Sequence, residues 1–107
     1  MFEEVNEKRF REKLSKGRLV AFFHTPFCGT CKRAEKMINV VLESMKPNFD
    51  ALSCNLNLMP SLAETFEITS VPCLLMIEDG KVKNRIFSFG SIDQLYHSLL
   101  QFSENKP

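Results

Sequence analysis

Two cysteines, Cys28 and Cys31, stand three positions apart in the segment Phe27-Cys28-Gly29-Thr30-Cys31-Lys32. On a helix that spacing puts both sulfurs on one face and within disulfide reach. If the segment opens a helix, the first-turn N–H groups have no intrahelical partner and the macrodipole is positive there. Both effects favour thiolate over thiol at Cys28, the more exposed of the two, and a thiolate is the species that attacks a disulfide. Gly29 permits close approach by another chain, and Thr30 stiffens the turn less than a proline does. These two central residues tune the reduction potential of the pair. Two other readings suit the same spacing: helix cysteines without chemistry, or half of a zinc site that needs two further ligands. Cys54 and Cys73 are far apart in sequence and form no second pair of this kind.

Other residues have a chemical and a plain reading side by side. His24, four residues before Cys28, could favour the thiolate or act as a general base; otherwise it is a strand-end histidine half in solvent. Lys32, Arg33 and Lys36 make the following stretch basic, which could steer acidic partners or favour the thiolate; the plain reading is a solvated helix face. Cys73 directly follows Pro72 and is either an auxiliary thiol or a small buried apolar residue, whereas Cys54 reads as core. Phe27, an aromatic beside the nucleophile, offers a docking surface for a partner chain.

The elements that must position these residues follow from patterning. Phe2 to Val5 is a short extended segment. Asn6 is an N-cap for a helix from Glu7 to about Lys16, ending at a left-handed Gly17, with Phe10 and Leu14 as its apolar stripe. Leu19 to Phe23 is a continuous apolar run, fitting a strand covered on both faces. Pro26 turns the chain, and a helix runs from Gly29 to about Met45 with Ala34, Ile38, Val41 and Met45 on one face. Phe49 to Leu56 reads as a second inner strand and Pro60 to Glu67 as a short helix. Cys73 to Glu78 is another apolar strand, joined through the hairpin turn Asp79-Gly80 to a partner over Lys81 to Phe89. Gly90 breaks that strand, and Ser91 caps a last helix with Ile92, Leu95, Leu99 and Phe102 at core spacing. Residues 104–107 read as a loose end. The order β-α-β-α-β-α-β-β-α implies an α/β fold: a mostly parallel central sheet with an antiparallel edge hairpin and helices on both faces.

The 107 residues make room for a single domain, 1–107. With 44% hydrophobic and 25% charged residues, the composition is that of a globular chain rather than a disordered one. A formal charge of +1 gives no net field toward nucleic acid or a membrane surface. The first residues mix charges of both signs, unlike a targeting segment, and no apolar run approaches the roughly 20 residues a membrane span needs. A cytoplasmic location is the expectation, and in a reducing compartment a close cysteine pair is more often catalytic or metal-binding than structural.

Taken together, these segments resemble the thioredoxin family over nearly the whole chain. Phe27-Cys28-Gly29-Thr30-Cys31-Lys32 after an apolar strand is similar to the family's active-site segment, with Phe27 at its tryptophan position. About forty residues on, Ile68-Thr69-Ser70-Val71-Pro72 with its apolar strand and Asp79-Gly80-Lys81 resembles the cis-proline loop and hairpin, and Gly90 matches a groove glycine. The resemblance implies a thioredoxin fold and a thiol–disulfide oxidoreductase that reduces protein disulfides. Cys28 would be the nucleophile and Cys31 the resolving thiol, with Phe27, Val71, cis-Pro72 and Gly90 lining the docking site. It also implies no bound cofactor or metal, and an electron donor in the form of a reductase or small thiol. A monomer is expected. The alternative is a binding module or redox sensor on the same fold. Phe22 stands where the family usually keeps a buried aspartate, Ser53 where its lysine partner lies, Thr30 for a motif proline and Lys36 for a helix proline. Deprotonation of Cys31 then falls to water or to His24.

Overall fold

The computed structural model describes residues 2–15 and 17–104. Its elements are β1 (Glu3–Val5), α1 (Glu7–Leu14), β2 (Arg18–His24), α2 (Gly29–Met45), β3 (Asp50–Asn55), α3 (Pro60–Thr65), β4 (Cys73–Glu78), β5 (Lys81–Ile86) and α4 (Ile92–Glu104). The five strands form one sheet in the order β1-β3-β2-β4-β5. β3 pairs parallel with β1 and with β2, whereas β4 runs antiparallel to both β2 and β5. The sheet is therefore evenly mixed rather than mostly parallel: the antiparallel part begins at the central β2–β4 pairing, not at the hairpin. The short α3 and the loop after it bring the chain back beside β2 from the opposite end.

The apolar runs of β2 and β4 are buried on both faces, and side-chain parity sorts them into two cores. Odd-numbered Leu19, Ala21 and Phe23 join Leu52, Cys54, Cys73, Leu75 and Ile77 under α1 and α3, where Phe10, Leu62 and Phe66 cover them. Even-numbered Val20 and Phe22 join Leu74 and Met76 on the other face. There they meet Cys31, Ala34, Ile38, Val41 and Leu42 of α2 and Leu95, Leu99 and Phe102 of α4. Helices on both faces, as expected, thus hold the start of α2 against the end of β2.

Local chemistry sets the element ends. The Asn6 side chain accepts from the Arg9 N–H at 2.8 Å, capping α1. Gly17 takes φ +67°, the left-handed exit read from the sequence; α1 itself ends at Leu14, and Lys16 lies outside the described residues. Asp79 and Gly80 both have positive φ (51° and 83°), as a two-residue hairpin turn requires. Arg18 ties the far end of the fold. Its guanidinium donates to the Phe102 and Ser103 carbonyls at 3.0 and 2.9 Å and pairs with Glu78 at 3.3 Å.

Several expectations shift by a few residues. β5 stops at Ile86, so Phe87 to Phe89 are a connecting segment, and a 3-10 turn at Leu56–Leu58 follows β3 unannounced. Ile92 is 45% exposed rather than core, because the Ser91 hydroxyl accepts from Gln94 N–H at 3.2 Å and leaves Ile92 in the solvent-facing first turn. α4 continues through Glu104, and residues 105–107 lie outside the described residues.

Candidate active site

β2 ends at His24, the chain turns through Pro26, and α2 begins at Gly29 with Cys28 as its N-cap residue. The Cys28 sulfur accepts the Cys31 backbone N–H at 3.2 Å, in the place a serine or aspartate oxygen usually takes. The Thr30 hydroxyl lies 3.4 Å from the same sulfur. Cys28 and Cys31 are joined as a disulfide with their Cα atoms 5.2 Å apart, inside the normal range for such a bond. Cys28 is half-buried at the surface, and Cys31 is only 2% exposed behind it, packed in the α2–α4 core. A partner thus reaches one sulfur directly and the other only through it. Once the pair is reduced, unpartnered N–H groups and the positive helix end favour the charged form of the sulfur at Cys28.

Of the residues expected to form a docking surface, Phe27 is 99% exposed and takes φ 63°. A bulky residue in the left-handed region is an outlier, and such strain persists only where neighbouring structure imposes it. The Val71–Pro72 bond is cis, as the resemblance implies, and both residues are half-buried. Pro72 shares a cavity wall with Thr30, and Phe87 and Phe89 line the same cavity. Gly29 and Gly90 face open space: a Cβ at either would meet nothing within 4 Å. The fold's own packing does not require glycine there.

The His24 ring Nε2 lies 3.0 Å from the Ser53 hydroxyl and stacks on Phe22 with centroids 5.8 Å apart. Ser53 is buried, and its bond to His24 satisfies a hydroxyl that the core would otherwise isolate. Phe22 is fully buried, so the position that a carboxylate holds in the resembled family is filled here by an aromatic ring. Cys54 and Cys73 are buried in the other core, across the sheet from Cys31. Burial pushes the Cys54 thiol up to about 12 and the Cys73 thiol up to about 11, the latter against the attraction of Arg85. Both are register partners of Phe23 on opposite sides, which separates them by two strand spacings, roughly 9–10 Å. That exceeds disulfide reach. Neither is an auxiliary thiol for the exposed pair. Among the described residues no group of three or more His, Cys, Asp or Glu could hold a metal ion.

Sequence reasoning missed the residue that secures the proline loop. The Arg85 guanidinium donates to the Phe66 and Glu67 carbonyls at 2.7 and 3.3 Å, closing α3 and fixing the start of the loop that leads to Pro72. A lone arginine in a polar strand gives no local signal of such a contact.

A family model for thioredoxin matches residues 1–100. The chain is 40% identical over 84 residues, 78% of either chain, to a thioredoxin-like protein, YusE, of Bacillus subtilis. It is 30% identical over 90 residues to a thioredoxin of Staphylococcus haemolyticus, covering 80% of this chain and 83% of that one. In fold it is similar to a thioredoxin variant from Halobacterium salinarum, with a TM-score of 0.81 at 19% identity over 97% of this chain and 92% of the other. The oxidised mitochondrial thioredoxin 3 of Saccharomyces cerevisiae gives 0.78 at 20% identity over 94% of each. A close cysteine pair at the start of α2 in this setting supports thiol–disulfide oxidoreductase chemistry, and the chain belongs to the thioredoxin family.

Proposed function

We propose that the protein reduces disulfides in other proteins. The Cys28 thiolate attacks one substrate sulfur, the substrate S–S bond breaks, and the displaced substrate sulfur takes up a proton. The mixed disulfide is then attacked by Cys31 once its thiol has lost a proton. The Cys28–Cys31 bond forms, and the second substrate sulfur leaves and is protonated in turn. The chain has lost two electrons, the substrate has gained them, and the two protons of the dithiol have passed to the substrate thiols. A reductase or a small thiol then returns two electrons to the pair. Phe27, Val71, Pro72 and Gly90 form the surface on which an extended partner segment lies, and Gly29 lets its backbone come close. The protein acts as a monomer in the cytoplasm, on protein disulfides rather than nucleic acid or membrane, and without a bound cofactor.

The observation that carries this reading is the asymmetry of the pair: one sulfur at the surface on a helix N-terminus, the other buried directly behind it. The fully buried Phe22 favours a second reading, a binding module or redox sensor with weak reductase activity, since no carboxylate lies there to accept the Cys31 proton. Insulin reduction by dithiothreitol separates the two. Acceleration that disappears in Cys28→Ser supports the reductase, and a rate equal to background supports the binding module.

A further inference from the structure

A cavity of about 350 Å³ opens beside the cysteine pair, between the first turns of α2, the Pro72 loop and the segment that follows β5. Its walls include Thr30, Arg33, Pro72, Phe87, Ser88 and Phe89. Thr30 also lies 3.4 Å from the Cys28 sulfur, so the cavity adjoins the point where a substrate disulfide would meet that sulfur. Phe87 is 37% exposed, and Phe89 packs edge-on against Phe22, which fixes an apolar floor. Arg33 is the single ionisable residue of the lining.

Its situation differs from that of every other arginine in the chain. Arg9 and Arg11 pair with glutamates, Arg18 pairs with Glu78 and holds α4 carbonyls, and Arg85 holds the two carbonyls just past α3. Among the described residues, Arg33 makes no ion pair or side-chain hydrogen bond. The first turn of α2 holds no acidic residue, and exposed Lys32 and Lys36 add to the positive field. An exposed guanidinium with its donors unspent, lining the same cavity as an apolar floor and near a helix N-terminus, is complementary to a carboxylate.

We propose that this cavity selects, among protein disulfides, those carried by an extended segment with an acidic side chain close to the attacked cysteine. The carboxylate meets Arg33 while a neighbouring apolar side chain lies on Phe87 and Phe89. The proposal rests on the reductase reading for its biological use, but the recognition itself can be measured without turnover. Three peptides, identical except for Glu, Gln or Lys two positions from a cysteine replaced by serine, are titrated onto the oxidised protein and followed by backbone amide shifts. The Glu peptide is expected to bind roughly three- to tenfold more tightly than the Lys peptide, the scale of a charge-assisted pair at the surface of a cleft. The preference vanishes in Arg33→Gln and inverts in Arg33→Glu. It persists in Lys36→Glu, which makes the same charge change one turn along. Equal affinities, absence of binding by all three peptides, or a Glu preference that survives in Arg33→Glu overturns the proposal. Turnover of a small neutral disulfide, bis-hydroxyethyl disulfide, is measured in the same preparation. Its failure counts against the reductase reading and leaves the titration to decide the cavity.

Discussion

At the scale of single residues, the site depends on one sulfur that caps a helix and one aromatic held in an unfavourable backbone region. Phe27 is almost wholly exposed, so the fold gains no burial from it, and its φ of 63° has a conformational cost. Phe27→Gly is therefore expected to leave stability unchanged or raise it by up to about 1 kcal/mol, since relief of the left-handed strain outweighs the extra chain entropy. The same change slows reduction of a protein disulfide while sparing a small one. Denaturant melts and parallel assays on insulin and bis-hydroxyethyl disulfide check both halves. The cysteine pair was legible in the sequence because its spacing is local and its chemistry follows from four consecutive residues. The conformation of Phe27 was not, nor was the His24–Ser53 bond, because the latter joins residues 29 apart through the β2–β3 register.

At the scale of elements, the sequence revealed each helix and strand through caps, apolar runs and turn residues, and erred where ends depend on tertiary partners. Strand parity in Leu19 to Phe23 and Cys73 to Glu78 assigns both cores correctly once the strands are known to be covered on two faces. The direction of β4 relative to β2 could not be read this way, because an apolar run is the same in either sense. The loop that ends in Pro72 is secured at its start by Arg85, whose two bonds to carbonyls cross from β5 to the end of α3. Arg85→Ala is expected to destabilise the protein by about 1–3 kcal/mol, as for loss of hydrogen bonds to a charged group. Amide exchange should quicken most over residues 66–71, and insulin reduction should fall beyond what the stability loss explains. Exchange that rises uniformly across the chain contradicts a positioning role.

For the molecule as a whole, the sheet separates the reactive pair from the two remaining thiols, which makes them part of the core and not of the chemistry. Their burial has a consequence for stability against pH. Cys54 and Cys73 have folded values of about 12 and about 11 against an ordinary 9.0, so above pH 9 the folded chain holds protons that the unfolded chain has released. The stability they contribute is fully present below pH 9 and is lost as pH rises through 11 and 12. Denaturant melts across that range should fall less steeply for a Cys54→Ala, Cys73→Ala double variant than for the parent chain. The division of labour among the four cysteines is tested most directly by trapping. Reduced Cys31→Ser protein is mixed with a protein disulfide, and the adduct is mapped by mass spectrometry. A stable mixed disulfide carried by Cys28, which the parent chain resolves into free substrate thiols and its own Cys28–Cys31 bond, is the expected result. An adduct through Cys54 or Cys73, or no adduct at all, contradicts it.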